Sequence, residues 1–371
     1  MNSIAIIIGI GSYNDIGLIR SCGEAKMKSI YLIHRDSIVV PIYKSKYVIE
    51  HNLIDLTNLN DIFRHYELKY PETKFLVLPA SDEAVVAVDN LNQKFSNHFI
   101  TPYAQADIEH LMDKKEMGLM AKDTGLRVPS TGIIEFNQKV EVPLYLFPII
   151  LKPIQSTKGE KSDICICYDS DELPKAINSL KSKGYSNILY QQYLHDSDSK
   201  EIGITGVSCP GGRVEIYGYI DKIRNRSNIN NFGVYHPNQN LDVIPALKKY
   251  IQKTGYVGIF DTDFILYRGE LYFIECNFRN GAYGYCVTKG GFNMPQRFAS
   301  ANKLIKTSTI KRLKDVTFME ERTDILNVLD KSMGLFKWLM DVIKTDVFLW
   351  WNWKDPKPML RIPHFLKAKF K

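Results

Sequence analysis

With 371 residues, 45% of them hydrophobic and 24% charged, the chain is long enough for two or three packed cores. It lacks the roughly 18-residue apolar run that a membrane-crossing helix requires. Its formal charge of +7 is concentrated at the end. From Lys344 onward seven Lys/Arg stand against two Asp, a net of +5, so the remainder is nearly neutral and does not read as a general nucleic-acid binder.

In chain order, Met1–Gly11 is apolar but short and has no preceding basic region, so it reads as a buried strand rather than a signal peptide. Ile4–Ile8 is a continuous apolar run of the kind a parallel strand shows when both its faces are covered. It ends in Gly9-Ile10-Gly11-Ser12, and Ile16, Leu18, Ile19 and Cys22 then recur at helical spacing. Strands are expected at Ser29–Ile33 and Phe75–Leu78, the latter closing in Pro79-Ala80-Ser81-Asp82-Glu83. This βαβ rhythm predicts an open α/β sheet. The glycines after the first strand invite a dinucleotide-binding reading. However, Gly9, Gly11 and Gly17 miss the GxGxxG spacing, and His34-Arg35-Asp36 supplies an acid only loosely, so a tight turn is the simpler account.

Near residue 110 the character changes. Asp113-Lys114-Lys115-Glu116-Met117 opens an amphipathic helix that closes at Thr124-Gly125. An apolar strand, Phe147–Pro153, carries one lysine, Lys152, which either reaches the surface along its own stem or is held for an anion. A small, polar, basic loop with Lys158, Gly159 and Lys161 follows, the make-up of a flap over phosphates. A strand at Ile164–Tyr168 places Cys165 and Cys167 on one face, and none of the six cysteines has CxxC spacing. Buried free thiols in a reducing, cytoplasmic setting follow. Further on come a helix to about Ser182, a strand at Ile188–Tyr190, and two strands around Pro210-Gly211-Gly212. The basic run Lys222-Ile223-Arg224-Asn225-Arg226 then reads either as a loop facing a substrate carboxylate or as a solvated loop.

The richest segment is the hairpin of Tyr256–Phe264 and Leu271–Cys276, turning through Arg268-Gly269. Asp263 lies on one strand, and Glu275 and Asn277 are two apart on its partner, hence on one face. Mg²⁺ takes such hard oxygen ligands and leaves positions for water and phosphate oxygens. Arg279 follows at a spacing suited to a phosphoryl oxygen. A hairpin that is polar on its outer face by default is the alternative.

Taken together these parts resemble the ATP-grasp superfamily over roughly Ser81 to Pro295. The landmarks are Asp113-Lys114, Lys152 in its strand, Ile188–Leu194, Glu201, and Asp263 followed by Glu275-x-Asn277-x-Arg279-x-Gly281. The resemblance implies an α/β fold with an N-terminal Rossmann-like domain (1–105). An ATP-grasp domain (106–300) would follow, with a small flap-bearing lobe at about 125–195, and then a C-terminal helical, basic and aromatic arm (301–371). It implies ATP with Mg²⁺, or Mn²⁺ in its place. Lys114, Lys152 and Lys158 would hold phosphates, Gln192, Tyr193 and Leu194 the adenine, and Glu201 the ribose. Asp263, Glu275 and Asn277 would hold the metal, and Lys152 and Arg279 would stabilise the transferring phosphoryl group. Lys222, Arg224, Arg279 and Gly281 are the candidates for substrate contact. The chain departs from many relatives in having Asp261 where they have Arg.

The activity implied is carboxylate–amine ligation through an acyl-phosphate. Pro79–Glu83 and the run from Asn277 through Gly290-Gly291-Phe292-Asn293 look most like bacterial ligases near D-aspartate ligase. Those enzymes attach amino acids to cell-wall or surface-polymer precursors. The expected partners are carboxylate and amine substrates, free or linked to a lipid or nucleotide, and further copies of the chain in a homo-oligomer; no nucleic acid is expected. In the tail Phe348, Trp350, Trp351, Trp353 and Phe365 stand among lysines, residue types that settle at a lipid headgroup interface. Peripheral contact with the inner membrane face is one reading, and an arm packed on the catalytic lobes is the other. Two rival functions are a nicotinamide-dependent oxidoreductase, resting on Gly9 and Gly11, and a non-catalytic nucleotide-binding protein.

Overall fold

The computed structural model describes residues 3–34, 41–91, 98–138, 142–154, 163–226, 229–237, 241–306, 310 and 312–359. The chain opens with β1 (Ser3–Gly9), α1 (Tyr13–Glu24), β2 (Lys28–Ile33), β3 (Val48–Leu53), α2 (Leu59–Lys69), β4 (Lys74–Pro79), α3 (Asp82–Asp89) and β5 (Phe99–Ile100). The five strands form a parallel sheet in the order β3-β2-β1-β4-β5. The apolar run of β1 is buried because helices cover both faces, with Ile4, Ile6 and Ile8 in one core and Ala5 and Ile7 in another.

The glycine turn after β1 has a local explanation. Asp15 Oδ2 accepts from Gly11 N at 2.8 Å and from the Tyr31 hydroxyl at 2.7 Å, while Ser12 Oγ donates to Asp15 Oδ1 at 2.7 Å. A side chain at Gly9 would run into that carboxylate. The donors that a dinucleotide phosphate would need are aimed at the chain's own Asp15 instead, which removes the footing of the nicotinamide reading.

After α4 (Ile108–Leu111), α5 (Lys114–Asp123) begins at Asp113, whose carboxylate accepts from Lys115 N and Glu116 N at 2.9 and 3.1 Å. Next come β6 (Thr131–Glu135), β7 (Ile149–Lys152), β8 (Cys165–Cys167), α6 (Leu173–Ser182) and β9 (Asn187–Gln192). They make a four-stranded antiparallel sheet, β6-β9-β7-β8, with its own core of Ile134, Ile149, Leu151, Ile177, Leu180 and Ile188. All six cysteines are free.

The third sheet uses β10 (Lys200–Ser208), β11 (Val214–Ile216), β12 (Tyr219–Arg226) and β13 (Ile229–His236). After α7 (Ile244–Thr254) it adds β14 (Gly258–Tyr267) and β15 (Glu270–Asn277). Then follow α8 (Gly284–Lys289), α9 (Met294–Ala301), β16 (Val316–Met319), α10 (Glu321–Asp324), α11 (Leu326–Leu329), α12 (Leu335–Lys344) and β17 (Val347–Phe348). The strand order is β15-β14-β10-β12-β13-β16-β17, with β11 paired to β10. The basic run 222–226 is therefore a strand and not a loop. It escapes the usual strand signal because its charges are matched across the fold rather than solvated. Val316–Met319 and Val347–Phe348, within the expected arm, extend the same sheet.

One core joins the parallel sheet to the large sheet, with Leu18, Ile19 and Cys22 of α1 packed with Cys286 and Val287 of α8 and Phe298 of α9. The C-terminal segment closes over α1. Arg20, fully buried, donates to Asp355 Oδ2 at 3.3 Å and to the carbonyls of Leu349 and Trp350 at 3.2 and 2.7 Å. Asp355 also accepts from Ser45 Oγ at 2.8 Å and Lys46 N at 2.9 Å. Trp350 is 5% exposed and its indole N–H donates to Glu320, so this tryptophan belongs to the packed arm; Trp353 is 83% exposed. Among the described residues no helix is long and apolar enough to cross a membrane. Removing one partner of a buried ion pair leaves an uncompensated charge. Asp355→Ala is expected to destabilise the chain by about 3–5 kcal/mol, read as a lower urea midpoint, and an unchanged midpoint would refute that role.

Candidate active site

The hairpin β14–β15 presents a row of oxygen ligands. Asp261 and Asp263 alternate along β14, and Glu275 and Asn277 along β15, so all four share a face. In register Asp263 lies opposite Glu275 and Asp261 opposite Asn277, and a shift just beyond Asp263 brings Phe264 opposite Phe273. Burial, and next the neighbouring Asp263 charge, push the Asp261 carboxyl up to about 7.

A cation already answers this crowding. Lys222, on β12, crosses β10 to bond Asp263 through its ammonium, with its side chain only 6% exposed. The crossing passes Gly203, where a Cβ would stand 3.4 Å from the lysine stem. Burial works against the Lys222 charge, but Asp263 and Asp261 outweigh it and hold the ammonium well above the ordinary lysine value. Among the described residues no three His, Cys, Asp or Glu side chains stand ready as a closed metal cluster. Two carboxylates and an amide with surplus negative charge fit a hard divalent cation that keeps water or phosphate oxygens in its remaining positions.

Arg279 leaves β15 toward the parallel sheet and donates from Nε to Asp82 Oδ1 at 2.6 Å. Asn14 Nδ2 bridges the carbonyls of Ala80 and Asn280, each at 2.9 Å, which fixes this exit against the end of β4. Gly281 has a packing reason: a side chain there would strike the Asp261 carboxylate.

On the small sheet, Lys152 is buried and donates to Gln191 Oε1 at 2.9 Å. Gln191 donates in turn to Thr131 Oγ1 at 3.1 Å, and Thr131 donates to Pro129 O at 2.8 Å. Burial pulls the Lys152 ammonium down to about 8; Glu275 opposes this and Lys114 adds to it. Lys114 Nζ lies 3.5 Å from Pro153 O. Both lysines, with Gln191, Thr131 and Phe273, line a cavity of about 800 Å³ between α5, β6 and β15. The walls of that cavity do not include Asp263, Glu275 or residues 192–194.

Gln192 N donates to Ser130 O and Tyr193 N to Pro148 O, both at 2.8 Å. The Tyr193 ring stacks on His195 at 5.3 Å, and Leu194 is buried. Glu201 is exposed on β10, opposite Lys222 and Ile265. Lys158 lies outside the described residues. Arg224 does not face the acidic hairpin: its guanidinium grips Asp324 at 2.7 and 2.8 Å and Asp341 at 2.9 Å. The structure thus gathers Lys222, Asp261, Asp263 and Glu275 in one group and Lys114, Lys152 and Gln191 in another, with Glu275 acting on Lys152 between them. Sequence reasoning missed the Gln191 clamp and the Asp82 partner of Arg279. Both depend on pairings between elements far apart in the chain.

No protein-family model matches the chain. It is 23% identical over 328 residues to a D-aspartate ligase of Enterococcus faecium, covering 81% of this chain and 76% of that one. It is also 23% identical over 264 residues to a D-alanine–D-alanine ligase of Fusobacterium nucleatum, covering 69% and 85%. The fold matches N5-carboxyaminoimidazole synthetase from Staphylococcus aureus complexed with ADP, with a TM-score of 0.66 at 15% identity over 89% of this chain and 86% of that one. The chain has the ATP-grasp fold. Within this fold the Lys152–Gln191–Thr131 relay and the Lys222–Asp263 pair each hold a buried lysine near the acidic hairpin.

Because burial pulls the Lys152 ammonium down to about 8, the affinity of the free protein for ATP is expected to fall as pH rises from 7 to 9, when the ammonium loses its charge. Lys152→Met should lower the affinity at pH 7 by about tenfold or more and flatten the pH dependence. A wild-type affinity that is flat across this range in calorimetry would refute the assignment.

Proposed function

We propose that this chain is a member of the ATP-grasp superfamily and an ATP-dependent carboxylate–amine ligase that forms an amide through an acyl-phosphate. The observation that supports this most is the hairpin carrying Asp261, Asp263, Glu275 and Asn277, with Lys222 and Arg279 on either side of it. The similarity to D-aspartate and D-alanine–D-alanine ligases supports the amide-forming branch of the family.

In this reading the adenine rests against Gln192–Leu194, the ribose against Glu201, and the phosphates on Lys114 and Lys152. Asp263, Glu275 and Asn277 would hold Mg²⁺ or Mn²⁺, which neutralises phosphate charge. Lys222, drawn from Asp263, and Arg279, drawn from Asp82, are cations within reach of the transferring group. A substrate carboxylate oxygen attacks the γ-phosphorus, and the bond to the β-phosphate oxygen breaks, releasing ADP. An amine nitrogen then attacks the acyl carbon; phosphate leaves and takes up the amine proton. Phosphoryl transfer asks mainly for positioning and charge neutralisation, which these residues supply without an enzyme nucleophile.

The substrates in this proposal are an amino acid or amine and a carboxylate on a bacterial cell-wall or surface-polysaccharide precursor, free or carried by a lipid or nucleotide. The work would be done in the cytoplasm, with the C-terminal arm in peripheral contact with the inner membrane face.

Phosphate release from ATP, screened against paired carboxylates and amines, is expected only when both substrates are present, with an amide found by mass spectrometry. If no pair stimulates release, the chain binds nucleotide without catalysis and the ligase reading falls. Glu275→Gln should cut turnover by at least about 100-fold with an unchanged melting temperature; full activity would remove the metal role.

A further inference from the structure

The helix α12, Leu335–Lys344, buries none of its residues. Its inner side is Trp338, Asp341 and Val342, and Asp341 is pinned to Arg224 at 2.9 Å. Its outer side carries Leu335, Phe336, Leu339, Met340 and Ile343, with Phe336 78% and Ile343 76% exposed. At helical spacing these five residues form one apolar arc. Lys337 and Lys344, both exposed, lie together along one edge of the arc, and Lys331 is exposed just before the helix. The only acid of the helix is Asp341, and it is turned inward. A contiguous apolar face whose own helix carries only lysines among its exposed charges is complementary to a surface that is apolar in depth and anionic at its edge. A second copy of this chain suits it less well, since a symmetric pairing would set lysine against lysine.

We infer that α12 docks the protein on an anionic lipid bilayer, with the apolar arc entering the headgroup boundary and Lys331, Lys337 and Lys344 against lipid phosphates. This rests on the proposal that the arm contacts membrane, and it moves the contact from the tryptophans to a different element. The docking is joined to the candidate site. Arg224, which holds Asp341 of α12 and Asp324 of α10, is two residues from Lys222, which holds Asp263. A bilayer-bound α12 would therefore bring the acidic hairpin close to the lipid surface, where a lipid-anchored carboxylate or amine is presented.

The test is co-sedimentation of the full chain with vesicles of phosphatidylglycerol and phosphatidylethanolamine, compared with phosphatidylcholine alone. Binding is expected to the anionic vesicles, to weaken with salt, and to fall at least about tenfold in Phe336→Ser/Ile343→Ser. Lys337→Glu/Lys344→Glu should also bind more weakly, and with less salt dependence. All four positions are exposed, so both variants should keep the wild-type melting temperature and ADP affinity. If both variants bind anionic vesicles like wild type, the arm meets membrane elsewhere and the inference falls while the proposed membrane contact stands. If wild type binds no vesicle, both fall. A dimer seen by light scattering and lost in Phe336→Ser/Ile343→Ser, without vesicle binding, would assign the face to a second copy.

Discussion

Asp261, Asp263 and Glu275 sit on one face of a two-stranded ribbon, and like charges this close cannot all stay ionised in a buried setting without a cation. Much of the surrounding architecture supplies positive charge to that face. Lys222 reaches it across a glycine on the intervening strand, Arg279 leaves it for Asp82, and Lys152 senses Glu275 from the neighbouring sheet. The carboxyl of Asp261, raised to about 7 by burial and by Asp263, shows how far the compensation falls short. A site left with such a surplus is suited to taking up a divalent cation and giving lysine and arginine back to an anionic substrate.

That balance ties the three sheets together. Arg279 and Asn280 carry the end of β15 to the carboxyl end of β4, and Lys152 of the small sheet feels the Glu275 charge on the same hairpin. Gln191 and Thr131 fix the direction of Lys152 through a chain of neutral hydrogen bonds, which leaves the lysine charge free for a ligand. The small sheet has a core separate from those of its neighbours.

The parts legible in the sequence were those governed by local pattern. Ile4–Ile8 and Phe75–Leu78 are buried strands because their side chains are apolar on both faces, and the ribbon with Glu275 and Asn277 follows from alternation alone. β12 was not legible: Lys222, Arg224 and Arg226 alternate like a solvated segment. Lys222 finds Asp263 at a separation of 41 residues, and Arg224 finds Asp324 and Asp341 at separations of 100 and 117. Trp350 read like its neighbours Trp351 and Trp353, yet only its indole finds Glu320 and a buried seat. α12 has the amphipathic spacing of a core helix, and nothing in its own residues says that the described fold covers only its narrow side.

The buried pairing of Arg20 with Asp355 spans nearly the whole chain, and this bears on the order in which the protein can be completed. A ribosome releases Arg20 early, and the guanidinium then waits in water while more than three hundred residues are made. The parallel sheet can collapse during synthesis, but α1 cannot be sealed until the Leu349–Asp355 segment arrives to accept its hydrogen bonds. The amino-terminal lobe is thus finished by the Leu349–Asp355 segment, so nascent chains that stop short of Asp355 would carry an unsealed first helix.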